Sequence, residues 1–188
     1  MKRQFIPVAI IAIAISIIGT IRAQVDTSIG TNPHLRAQSA PTTSPGTTTT
    51  VKMNQKDVNF IQKAAGGGAQ EVANGKLAEK QGQSADVKRI GARMVADHTR
   101  ATTELTALAN RKGVKFDTRG VKAQNIPTAG FDRQYLMLLD EVHKSDIAEF
   151  EKEAKSGDDS ELKAWAAKTL PTLKEHLAMV KEAEKRIK

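Results

Sequence analysis

The chain has 188 residues, no cysteine, and 29 Lys+Arg against 21 Asp+Glu, a formal charge of +8. The absence of cysteine excludes a disulfide framework, a thiolate metal site, a thiol nucleophile and a lipid-modified cysteine. The basic excess is not a nucleic-acid signature: from Asp57 onward 23 basic residues face 20 acidic ones, a net of +3, and their signs alternate, as in Glu149-Phe150-Glu151-Lys152-Glu153-Ala154-Lys155, like those of a solvated helix face.

Met1-Lys2-Arg3, the apolar run Phe5 to Ile21 and Arg22-Ala23-Gln24 follow the export pattern of basic start, apolar stretch and small residue before the cut. Residues 1–23 are therefore read as a signal peptide, with an uncleaved anchor as the rival reading because Ile21 is large for the minus-three position. As a helix the run would measure about 25 Å, short of a hydrocarbon core of roughly 30 Å. Any membrane association is expected through this segment alone. Residues 24–56 contain Ala40-Pro41-Thr42-Thr43-Ser44-Pro45-Gly46 followed by four threonines. So little apolar area cannot offset the entropy of ordering, and the segment reads as a disordered spacer. His34 lies there and is set aside as a site residue.

Four amphipathic runs follow over residues 57–188, and none of the chain shows strand alternation. The first starts near Asp57, a candidate N-cap, and ends near Gly82, with Val58, Ile61, Ala65, Gly68 and Val72 at helical spacing. Gly66-Gly67-Gly68 costs about 1 kcal/mol per glycine relative to alanine, which predicts a kink or a close approach by a neighbouring helix. It is not a phosphate loop, since Gly68 to Gly75-Lys76 has the wrong spacing and no Ser or Thr follows the lysine. The second run is capped by Ser84 and stopped by Gly113, with Val87, Ile90, Met94, His98, Ala101, Leu105 and Leu108 on one stripe. The third spans about Ala129 to Ser156, with Leu136, Leu139, His143, Ile147, Phe150 and Ala154 facing inward. The fourth opens on Asp158-Asp159-Ser160-Glu161, acids suited to a helix N-terminus, and presents Leu162, Ala166, Thr169, Leu173, His176, Val180 and Ala183. Pro171 predicts a kink, or a break and restart, in this last helix.

Four helices of about 40 Å make an all-α four-helix bundle. The connections at 82–84 and 156–158 are tight. The one at about 113–128 could reach about 50 Å when extended, more than a helix length, which favours a long ferritin-like crossover between helices 2 and 3 over an up-down bundle with a slack loop.

Within this frame, His98, His143 and His176 each replace an apolar residue on a buried stripe, and Glu71 flanks the stripe of the first helix. Under the crossover topology all four fall within about one turn of the same level. Imidazoles with a carboxylate suit Zn, Cu or Fe, and bundle cores hold such sites. The same residues also make sense as a buried polar layer, satisfied by Asp97, Asp140, Glu71 or a carbonyl, that fixes helix register. Asp140 joins the candidate ligands because Asp140–His143 approximates the Glu-x-x-His spacing of di-iron bundles. The matching positions before the other two histidines are Val95 and Leu173, which argues against di-iron chemistry. No nucleophile elbow or nucleotide fingerprint is present, and no catalytic residue is assigned.

The ordered set Asp57-Val58-Asn59-Phe60, Glu71-Val72, Met94-Val95-Ala96-Asp97-His98, Glu104-Leu105 and Leu170-Pro171-Thr172-Leu173-Lys174-Glu175-His176 resembles the bacterial domain of unknown function 4142. The resemblance spans about residues 57–185. It implies a ferritin-like bundle in exported bacterial proteins, in the periplasm or associated with the outer membrane, and it brings no reaction, ligand or established cofactor. Three functions then stand: a non-enzymatic envelope protein with a binding, structural or stress-related role, a transition-metal protein for storage, scavenging or redox, and an interaction module using the basic connector Arg111–Lys122. Its partner would be an envelope component or a second copy of the chain. Nucleic acid is disfavoured there, because Phe116 is the connector's lone aromatic.

Overall fold

A computed structural model describes residues 52–187, so the signal segment and the spacer up to residue 51 lie outside the described residues. Four helices follow one another: α1 (Gln55–Gln81), α2 (Ala85–Arg111), α3 (Phe131–Ser156) and α4 (Ser160–Glu184). Among the described residues there is no strand, and no helix is long and apolar enough to cross a membrane.

Local chemistry sets the helix ends. Asn54 rather than Asp57 caps α1, its side chain accepting from the Lys56 amide at 2.7 Å. Asp57 sits in the first turn, fully buried, and its carboxylate instead accepts from the amides of Asp158 (3.2 Å) and Asp159 (2.7 Å) in the α3–α4 turn. Periodicity cannot reveal such a role, because the partners lie at the far end of the sequence. Ser84 and Asp159 cap α2 and α4. α4 continues unbroken through Pro171. The proline is exposed, and it forfeits only the one bond its missing N–H would have made to the carbonyl a turn earlier.

Contacts at the helix ends fix the topology. The start of α1 meets the α3–α4 turn, so α1 and α3 are antiparallel. Asp132, in the first turn of α3, accepts from the amides of Gln83 (2.8 Å) and Ser84 (2.7 Å), so α2 and α3 begin at the same end and run parallel. Arg186 at the end of α4 reaches Asp86 at the start of α2 (2.8 Å). At the other end Lys112 pairs with Asp159 (2.8 Å). The connection between α2 and α3 must then cross the length of the bundle. Val114 at its start belongs to one apolar cluster, with Phe60, Leu105, Phe150 and Trp165. Ile126 near its end belongs to the other, with Met94, Tyr135, Leu139 and Val180. Just before Ile126, Gln124 and Asn74 hold the connection to α1, the Gln124 amide donating to Asn74 Oδ1 at 2.8 Å.

The apolar face of α1 is turned relative to the sequence stripe. Phe60, Asn74, Gly75 and Ala78 are buried, while Val58 and Val72 are half-buried, because this helix packs on both α2 and α3. Of the triple glycine, Gly68 alone marks the expected close approach, since a Cβ there would lie 2.9 Å from Thr102 Oγ1 of α2, while one on Gly66 or Gly67 would meet nothing within 4 Å. α1 and α2 touch backbone to backbone elsewhere, where a Cβ on Gly75 would lie 2.7 Å from the Gly91 carbonyl and one on Gly91 2.7 Å from that of Gly75. Along the basic connector Arg111 pairs with Glu161 (2.8 Å), Lys112 with Asp159 and Glu161, and Arg119 with Asp117 (2.7 Å). Much of its charge is answered within the chain.

Candidate metal centre

Between the two apolar clusters lies a polar layer with one member from each helix: Glu71 of α1, His98 of α2, His143 of α3 and His176 of α4. All four are buried, at 1, 6, 0 and 0% exposure. The three histidines each offer a ring nitrogen, and these lie within 4.8 Å of one another.

Outer partners set the tautomers of two of the rings. A carbonyl oxygen can only accept, so His143 Nδ1, 2.9 Å from the Leu139 carbonyl, carries a proton and leaves the Nε2 lone pair facing inward. His176 Nε2 lies 2.9 Å from Asp97 Oδ2. That carboxylate is also held by Arg93 and Arg100. Burial alone would raise its pKa, but the hydrogen bonds from Arg93 and His176 outweigh it and leave Asp97 below the usual range, ionised. Asp97 therefore accepts the Nε2 proton of His176 and points the Nδ1 lone pair inward. The two inward nitrogens, His143 Nε2 and His176 Nδ1, are 3.1 Å apart.

Two lone pairs at that separation repel unless a cation lies between them. A proton is disfavoured, because burial depresses the rings as bases. His143 is pushed down to about 4, with His176 as the next cause, and His98 to about 3, with His176 and His143 adding to burial. Burial also lowers His176, though Asp97 opposes it. A metal ion fits the spacing: at about 2.0–2.1 Å from each nitrogen it would subtend an angle of about 100°. Carboxylate or carbonyl support behind ligating imidazoles is the usual outer shell of such sites.

Glu71 and His98 complete the layer. Glu71 Oε2 lies 3.0 Å from His98 Nε2 and Oε1 3.4 Å from His143 Nδ1, yet neither carboxylate oxygen nor His98 Nε2 is aligned for a hydrogen bond among the described residues. Burial, with Asp146 behind it, raises the Glu71 pKa well above the carboxylate norm. Three orphaned buried polar atoms beside two facing lone pairs form an unsatisfied donor set.

The structure thus brings together Glu71, His98, His143 and His176, and it leaves out Asp140. That residue turns toward Lys144 one turn later on the half-buried flank of α3 and bears on His143 only as a nearby charge. Asp97 takes the supporting role instead. The sequence reading missed Asp146, which shares a cleft of about 290 Å³ with Glu71, His98, Gly67 and Gly68. Its place three residues after His143, hence on the same helix face, was the available signal.

Fold and layer define an all-α four-helix bundle with a crossover and a histidine-rich centre at mid-height. The chain belongs to the family described as domain of unknown function (DUF4142), whose model matches residues 42–183. It is similar in fold to the crystal structure of a DUF305 fragment from Deinococcus radiodurans, with a TM-score of 0.61 at 15% identity over 71% of this chain and 98% of that one. No curated protein matches the sequence.

Proposed function

We propose that this protein binds a transition-metal ion of the Zn, Cu or Fe group through His98, His143 and His176, with Glu71 as the carboxylate donor. The facing lone pairs of His143 and His176, each fixed from outside by Leu139 or Asp97, carry the reading. Rings that are neutral at pH 7 need lose no proton to bind. A single carboxylate among three imidazoles suits storage, scavenging or one-electron redox better than oxygen-activating di-iron chemistry. Export through residues 1–23 and tethering by the spacer belong to the same proposal, supported by the sequence pattern alone, and would place the site in the cell envelope.

Protein purified without a metal-affinity tag should carry, or take up, about one equivalent of ion per chain. Zn or Cu at a hundredfold excess over Kd should stabilise the fold by about 2.7 kcal/mol, and the shift should vanish in His143→Leu. Less than about a tenth of an equivalent, with no thermal shift, would remove the metal reading, since a ligand specific to the folded state must stabilise it. That result would favour the second reading, a register-fixing polar layer, which the placement of the four residues between two apolar clusters also supports.

A further inference from the structure

The Glu71–His98 side of the layer is not sealed. The cleft that reaches it runs between α1 and α3, and Gly67 and Gly68 form part of its wall where side chains would otherwise close it. Its lining includes Asp146 and Glu149 of α3 and Lys63 of α1, and Lys63 is only loosely paired with Glu149, at 3.8 Å. Farther in stands Glu71, 1% exposed and with both oxygens unpartnered. The other large groove, under the crossover, is lined by Val72, Thr99, Thr102 and Thr118 and includes no member of the layer.

We propose that this glycine-walled cleft is the route by which a hydrated divalent cation enters, with Asp146 receiving the ion and Glu71 passing it to His98. The inference rests on the metal reading above and adds the path and its residues. Carboxylates along a narrow, low-dielectric cleft concentrate cations and raise their rate of entry. Gly67 is fit for this role: a Cβ there meets nothing within 4 Å, so packing does not require the glycine.

The test is stopped-flow loading of metal-free full-length protein with Co²⁺ alone, followed by its absorption spectrum. Gly67→Leu should fold, since its Cβ enters open space, and should reach the wild-type end-point spectrum and stoichiometry. It should load on the order of tenfold more slowly or worse, because entry then waits on local opening of the bundle. Gly66→Leu, also in open space but outside the cleft lining, should load at the wild-type rate. Asp146→Asn should load roughly tenfold more slowly at low salt and lose much of the salt dependence. Equal loading rates for wild type and Gly67→Leu overturn the path and leave the site standing. A wild type that takes up no Co²⁺, Zn²⁺ or Cu²⁺ overturns the site and the path together.

Discussion

The two hairpins, α1–α2 and α3–α4, are variations on one frame. Asp132, Gly157 and Asp159 follow one another at the same spacing as Asp57, Gly82 and Ser84, and each first-turn aspartate clamps the turn of the other hairpin. Their interiors differ. Where the first hairpin has Gly75 and Gly91 in backbone contact, the second has Phe150 and Ala166 at the matching places, and Phe150 packs its ring 5.4 Å from that of Trp165. The first hairpin gives up side-chain volume and gains close helices, a glycine wall and a buried glutamate without an aligned hydrogen bond. The second supplies bulk and two oriented imidazoles. The site belongs to neither alone, since Asp97 of α2 sets the ring of His176 on α4. A shared frame can thus divide labour simply through residue size at the helix seam.

The largest effect should come from erasing that difference in size. Gly91→Leu drives a Cβ toward the Gly75 carbonyl at 2.7 Å, and backbone cannot yield as a side-chain tip can. We expect a loss of about 3 kcal/mol or more, the upper range for overpacking. Gly66→Ala, on the open side of α1, should gain about 1 kcal/mol from helix propensity. Urea melts of the two variants read both. A Gly91→Leu protein as stable as wild type would mean that the seam can open to admit a side chain.

The reciprocal aspartates sharpen the likeness rather than the difference. Asp57→Ala and Asp132→Ala each strip a part-buried pair of amides of a charged acceptor, a loss of about 2 kcal/mol each. Similar losses in denaturant melts would show that the hairpins hold each other symmetrically. A neutral result at one end would break the symmetry.

Much of this frame was legible from the chain. The helix count, the cap at Ser84 and the crossover followed from period and connection length, because those signals are local or are set by chain reach. The common level of Glu71, His98, His143 and His176 was legible for the same reason, since rise per residue fixes height along a rod. Azimuth was not. Whether Asp140 or Asp97 would face a histidine depends on how far each helix rotates toward two neighbours, and Asp140 turned to Lys144. The glycine run was legible only in part for a related reason: Gly66, Gly67, Gly68 and Gly75 look alike in sequence, and only the placement of α2 and α3 leaves Gly66 and Gly67 open while Gly68 and Gly75 lie tight against α2. Asp57 read as a cap because its partners, Asp158 and Asp159, lie a whole hairpin away.

The smallest effect concerns pH, and it sets carboxyls against imidazoles in metal-free protein. In the unfolded chain the three histidines titrate near about 6.5. In the fold His143 is held down to about 4, His98 to about 3, and His176 is lowered by burial despite Asp97. Their contribution to stability is present above the unfolded value and is lost as pH falls toward the folded ones. Asp146, raised to about 6 by burial and Glu149, and Glu71, raised by burial and Asp146, act oppositely. Their folded forms keep protons that the unfolded chain has released, so acidification stabilises them and their contribution is lost as pH rises through the folded values. Three imidazoles against two carboxyls largely cancel, leaving a small net uptake of protons on unfolding. The melting temperature of chelator-treated protein should therefore fall only gently from pH 7 to 5, and Asp146→Asn, which removes one opposing carboxyl, should make the fall steeper. Unchanged melting in both proteins across that range would mean that water reaches the rings, and a wet layer has no facing lone pairs for a metal ion to reconcile.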